Sequence, residues 1–134
     1  MDQIKQWIEG RQQDVLTVYA LLQKNLSDES GALIHDLIEI EAWYARTGYM
    51  LAEANSWLDK ASLALMPDKT KEKTEMERRV TLDSNTAFIR SWRDKIEYSH
   101  DAIKNRITMG QSLLAYKRQS IENTKSIRMV DKPF

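Results

Sequence analysis

This sequence predicts an all-α fold, an antiparallel bundle or coiled coil of about three long helices, on three observations. Four glycines and two prolines are all that interrupt its 134 residues. A central stretch repeats apolar residues at alternating steps of four and three for more than four heptads, the stripe of a left-handed coiled coil. A further stretch, from about Thr70 to Met129, holds no proline and one glycine and reads as a single helix. The length fits one helical domain over 1–134. With 30% charged and 42% apolar residues, the composition argues against disorder and against an all-β fold.

Helix one is expected over 2–25, with Asp2 as its N-cap and Ile4, Ile8, Val15, Val18 and Leu22 as its apolar stripe. Arg11 interrupts that stripe, and Gly10 costs the helix about 1 kcal/mol relative to alanine. The run from Ser27 to Gly31 is the break.

Helix two, 32–66, carries the clearest pattern: Leu33, Leu37, Ile40, Tyr44, Thr47, Leu51, Ala54, Leu58, Ala61 and Leu65. A second line of Ile34, Ile38, Ala45, Gly48 and Ala52, and a third of Trp43, Met50 and Trp57, widen the apolar face. That much apolar circumference predicts contact with more than one helix. Pro67 ends the element, because proline disfavours helix in the residue before it.

Helix three is expected over 72–128, followed by a polar tail over 129–134. Thr74 and Glu77 fit a capping box, so regular helix can begin at Thr74. Its stripe runs through Met76, Val80, Ile89, Trp92, Ile96, His100, Ile103, Ile107, Gly110, Leu114 and Ile121. Two steps of four meet at Trp92, Ile96 and His100, a stutter that relaxes a supercoil or marks a bend.

A helix of roughly 55 residues is about 80 Å long, against about 50 and 37 Å for the two before it. The excess carries Ile103, Ile107, Leu113, Leu114, Ile121 and Ile127. Ile103, Ile107, Leu113, Leu114 and Ile121 are therefore the expected interface of a homo-oligomer, buried most simply by another copy.

Net charge is zero but unevenly spread. From Ser27 to Met66 seven acids face two bases, a net of −5; from Ala102 to Phe134 seven bases face two acids, a net of +5. Such a chain can be steered to a polyanion by one part, or stack on itself. Lys104, Arg106, Lys117, Arg118, Lys125 and Arg128 are the candidate phosphate contacts. Separations of 11 to 14 residues return to one helix face, so Lys104, Lys117 or Arg118, and Arg128 form a ladder. On an isolated helix that ladder is a solvated face; in an oligomer it becomes a band that neutralises many phosphates.

Other chemistry finds little support. The chain has no cysteine, hence no disulfide or thiolate metal site. Glu97 and His100 have the Glu-x-x-His spacing of di-iron bundles, but the other histidine, His35, has Glu39 at the wrong offset. Neither a glycine-rich phosphate loop nor a nucleophile elbow occurs. The expectation is a non-enzymatic protein without metal or cofactor. Trp43, Trp57 and Trp92 keep company with apolar stripes, which favours burial over base stacking. No signal peptide or run of the ~20 apolar residues that span a bilayer appears, so a cytoplasmic protein is expected, in the bacterial host if phage-encoded.

Two segments carry a resemblance: Ala42-Trp43-Tyr44-Ala45-Arg46-Thr47-Gly48-Tyr49-Met50-Leu51-Ala52-Glu53-Ala54, and Asp101-Ala102-Ile103-Lys104-Asn105-Arg106 with Gln111-Ser112-Leu113-Leu114-Ala115-Tyr116-Lys117 downstream. In these, and in the order of helices over about two thirds of the chain, the sequence resembles the UvsY-like recombination mediators of the T-even phages. The resemblance implies rings or bundles assembled through the C-terminal helix. It also implies single-stranded DNA binding, and help to a RecA-like recombinase in displacing single-strand binding protein. Of that family's contact residues it carries over Lys104 and Arg106. The competing expectation is a protein–protein interaction module, a phage inhibitor of a host system or an assembly scaffold. Its interface would be the acidic helix two and the line of Trp43 and Trp57.

Overall fold

A computed structural model describes the backbone of residues 2–66 and 74–130 and the side chains of 3–66 and 74–125. The described residues form four helices and no strand: α1 (Asp2–Gln23), α2 (Ser30–Ala64), α3 (Glu75–Asn85) and α4 (Ala87–Val130). The fold is all-α. Helix two, expected to residue 66, ends at Ala64 with Leu65 as its C-cap, and the first two residues of the tail expected over 129–134 are still helical; Pro67, the start of helix three at residue 72 and residues 131–134 fall outside the described residues.

Local chemistry sets the helix ends. The Glu29 carboxylate accepts the backbone N–H of Gly31 at 2.8 Å and of Ala32 at 2.6 Å. Two orphan donors of the first turn are thereby satisfied, and α2 starts at Ser30 where a start at Ala32 was expected. Thr74 caps α3 as its sequence predicts, its hydroxyl accepting the Glu77 N–H at 3.1 Å.

The third helix is not one rod. It is interrupted at Thr86, whose backbone leaves helical geometry at φ −105° and ψ 4°. Ser84, Asn85 and Thr86 are all weak helix formers. The Thr86 hydroxyl donates back to the Leu82 carbonyl at 2.9 Å, a contact that bends helices. The Arg90 guanidinium then braces the bend, donating to Thr86 Oγ1 and to Asp83. At the stutter, by contrast, α4 runs unbroken through His100 to Val130.

The directions of the helices follow from three core clusters, each drawing on α1, α2 and α4. Ile4 meets Ala61 and Ile89; Val15 meets Met50, Ala54, Trp92 and Ile96; Val18 and Leu21 meet Ile40 and Ile103. As α1 ascends, α4 ascends and α2 descends, so α2 is antiparallel to both. Burying each Val, Leu, Ile or Met among these contributes about 1.5–3 kcal/mol. No residue of α3 is buried, and its Met76 and Val80 are exposed.

All ten residues of the α2 heptad stripe are buried or half-buried. The line of Trp43, Met50 and Trp57 packs into the same three clusters as α1. Of the remaining line, Ile34 at 41% and Ile38 at 63% exposure face outward with exposed Ala45 and Ala52, whereas Gly48 is half-buried against His100. Arg11, the interruption in the α1 stripe, reaches Glu53 on α2 at 2.9 Å. Glu53 also accepts the Trp7 indole N–H at 3.0 Å, while Arg46 pairs with Asp14 at 2.9 Å.

Candidate nucleic-acid interface

Register decides which part of α4 is free. Ile103 lies against Ile40, and the Cα of Gly110 is so close to Leu37 that a side chain there would collide with it. Seven residues on, the Lys117 ammonium donates to the Asp28 carbonyl, just ahead of the first residue of α2. Beyond Lys117 none of the described residues of another helix faces α4, and every residue from Arg118 to Lys125 is exposed. The projecting tip, 118–130, is about 20 Å long at 1.5 Å per residue.

The six candidate cations divide accordingly. Arg106 is half-buried and donates to the carbonyls of Leu22 and Lys24. These are unsatisfied acceptors at the end of α1, where a cation also meets the negative pole of the helix. Lys117 clasps the α1–α2 connection at Asp28 and is also close to Glu29. Lys104, Arg118 and Lys125 are exposed. They stand 14 and 7 residues apart, whole heptads, and so share a strip that drifts only about 20° per heptad. The side chain of Arg128 lies outside the described residues. The expected ladder therefore rests on Lys104, Arg118 and Lys125, with Arg106 and Lys117 turned inward.

The expected oligomer interface needs a correction for the same reason. Ile103 is fully buried by Val18, Leu21 and Ile40 of its own chain, and Ile107 packs against that cluster. Ile103 therefore has no surface left to present to a second copy, and Ile107 is half-buried in its own chain. Leu113 and Leu114 are half-buried; among the described side chains of the tip, Ile121, 50% exposed, is the outward apolar residue. The register also places the acids at the start of α2 beside α4 from Lys104 to Lys117, so the acidic segment lies alongside the first half of the basic one.

Electrostatics at the α1–α2 connection are set by hydrogen bonds. The Asp36 carboxylate accepts the Ser27 hydroxyl at 2.6 Å and the Ser27 N–H at 3.1 Å. The hydroxyl chiefly holds its pKa below the usual value, against the opposing cost of desolvation. Glu29 is held down first by the N–H groups of Gly31 and Ala32, with Lys117 a minor contributor.

No protein family, curated protein or solved structure matches this chain. Glu97 is exposed, whereas His100 turns into the α2–α4 seam, stacking on Tyr44 with ring centroids 4.4 Å apart. Among the described residues no three His, Asp or Glu side chains gather as a metal site, and no helix is long and apolar enough to cross a membrane. The seam around His100 is foreshadowed only by the stutter and by Gly48, whose added Cβ would stand 3.2 Å from the imidazole. A cleft between α1 and α4 beside Trp92 has no signature in the sequence at all.

Proposed function

We propose that this chain is a non-enzymatic accessory protein of recombination or replication that self-associates and binds single-stranded DNA. The observation that carries the reading is the projecting tip of α4, where Arg118 and Lys125 stand exposed on one strip with Lys104. Phosphates of a flexible strand can follow such a strip, since its charges recur at about 21 and 10 Å. Self-association through the tips, with Ile121 at the contact, multiplies a modest patch into a band. By the resemblance to UvsY-like mediators, the bound strand would be handed to a RecA-like recombinase as single-strand binding protein leaves, in a cytoplasmic setting.

Binding of a labelled oligothymidylate at increasing salt tests this. Three phosphate contacts per copy predict a slope of about −2 in log affinity against log salt per protomer, at about −0.7 per contact. The triple variant K104E/R118E/K125E should abolish binding, and absence of binding at low salt overturns the reading. Light scattering tests self-association: particles heavier than a monomer are expected at micromolar concentration.

A second reading, a protein–protein interaction module, draws on the outward line of α2, where Ile34 and Ile38 are exposed. The interface it would use is that line, because Trp43 and Trp57 are packed into the core of their own chain.

A further inference from the structure

The tip of α4 and the outer face of α2 are two uncovered surfaces of opposite charge at the same end of the molecule. Ile121 on the tip follows Gly110 by 11 residues, which returns to within about 20° of the same side of the helix. In its own chain that side meets Leu37 of α2. Ile121 therefore looks toward the place α2 would occupy if it began earlier. Its own α2 begins at Ser30, close to the level of Lys117, and leaves Ile121 50% exposed.

The outer face of α2 has the complementary want. Ile34 and Ile38 are exposed there, turned away from both α1 and α4. Glu41 lies within about 20° of Ile34 around the helix and is exposed. Lys125, also exposed, stands four residues after Ile121 and about 40° from it. Neither Glu41 nor Lys125 makes an ion pair among the described residues.

Three features name the occupant as a second copy of this chain. The tip offers an apolar residue followed one turn later by a cation, and the face offers Ile38 followed one turn later by an acid. The lengths agree: the tip is about 20 Å long, and the stretch from Ser30 to Glu41 about 17 Å. Finally, α2 starts at the end from which the tip projects, so each copy receives what it lends. Such a contact is made twice about a two-fold axis, and it closes.

We propose that two copies pair by exchanging tips. The α4 tip of each lies parallel to the other's α2, with Ile121 seated between the partner's Ile34 and Ile38 and Lys125 at the rim beside Glu41. The pairing rests on the self-association proposed above and is independent of DNA binding. Arg118 and Lys104 lie about 60° and 100° from Ile121 around the helix, so they stay open to phosphate in the pair.

The full chain has no cysteine, so single thiols can map the contact. I38C and I121C, mixed and mildly oxidised, should cross-link to each other, while neither should link to itself. A disulfide needs Cβ atoms within about 4.5 Å. Light scattering should give the mass of two chains at micromolar concentration. E41K and K125E should each weaken pairing at least tenfold with the helical circular-dichroism spectrum unchanged, and E41K/K125E should recover it. Cross-linking of I121C to itself would put tip on tip and overturn the exchange, as would a mass above two chains. A monomer at every concentration overturns it together with self-association. K104E/R118E separates pairing from DNA binding: oligothymidylate binding should fall at least tenfold while the mass stays that of two chains. A pair lost in that variant would put the contact on the wrong side of the tip; a strand still bound would count against the phosphate strip and leave the pair standing.

Discussion

Thr47 Oγ1 and His100 Nδ1 lie 2.9 Å apart at the middle of the α2–α4 seam, a polar contact inside an otherwise apolar stripe. The Thr47 hydroxyl also points at the carbonyls of Trp43 and Tyr44, at 2.9 and 3.1 Å. A hydroxyl has one hydrogen. With that hydrogen directed at the carbonyls, the imidazole must donate from Nδ1. Tyr44 stacked on one side, with an interplanar angle of 12°, and Gly48 opposite its edge leave the ring little freedom.

Gly48→Ala should therefore depend on His100. In an open helix the change stabilises by about 1 kcal/mol, but here the new methyl presses on a fixed ring. The expectation is no gain in the wild type and a gain of about 1 kcal/mol in the His100→Ala background, measured by urea unfolding. Equal effects in the two backgrounds would remove the ring from the argument.

The other helical glycines should split in opposite directions. Nothing lies within 4 Å of a Cβ built on Gly10, so Gly10→Ala should stabilise by about 1 kcal/mol. At Gly110 the added carbon collides with buried Leu37, and Gly110→Ala should cost about 1–3 kcal/mol. Chemical denaturation of the two variants decides; a stabilising Gly110→Ala would mean the two helices are not in this register.

Among the cations, stability and binding should separate. Arg106→Ala strands the carbonyls of Leu22 and Lys24 and should destabilise by about 1–2 kcal/mol. Lys117→Ala should loosen the α1–α2 connection, seen as faster amide exchange around Asp28. Arg118→Glu and Lys125→Glu should leave melting unchanged while weakening oligonucleotide binding. Loss of melting temperature in the second pair and not the first would reverse the division.

Acid should weaken the start of α2. A carboxyl whose pKa is depressed by folding adds stability that is fully present above its unfolded value and lost as pH falls through the folded one. Asp36 and Glu29 are both of this kind. Asp36→Asn should be less stable than wild type by about 1 kcal/mol at neutral pH, and the difference should close below about pH 4. Thermal melts followed by circular dichroism between pH 3 and 7 measure it; a gap independent of pH contradicts the assignment.

Periodicity makes the helical class and the buried side of α2 legible, because a stripe such as Leu33 to Leu65 has one way to hide its apolar side chains. Thr74 is legible for a similarly local reason, since its partner Glu77 is three residues away. The bend at Thr86 is not, because weak helix formers bend only where something like Arg90 holds them. The division of the cations is equally hidden: Arg106 and Arg118 look alike until the end of α1 is seen beside one of them. Ile103 misleads by the same route, since length alone cannot show how far down α4 its neighbours reach.

The lateral pairing of the charged segments has an electrical consequence. Opposite charges on adjoining helices cancel at distances beyond about 10 Å, the screening length at 0.1 M salt. A distant polyanion would therefore sense little of the molecule's flank. What it would sense is the end of α4, where among the described residues Arg118 and Lys125 have no acidic helix beside them and only Glu122 of their own helix between them. Encounter would be end-on, and added salt would slow capture while leaving the packed body indifferent.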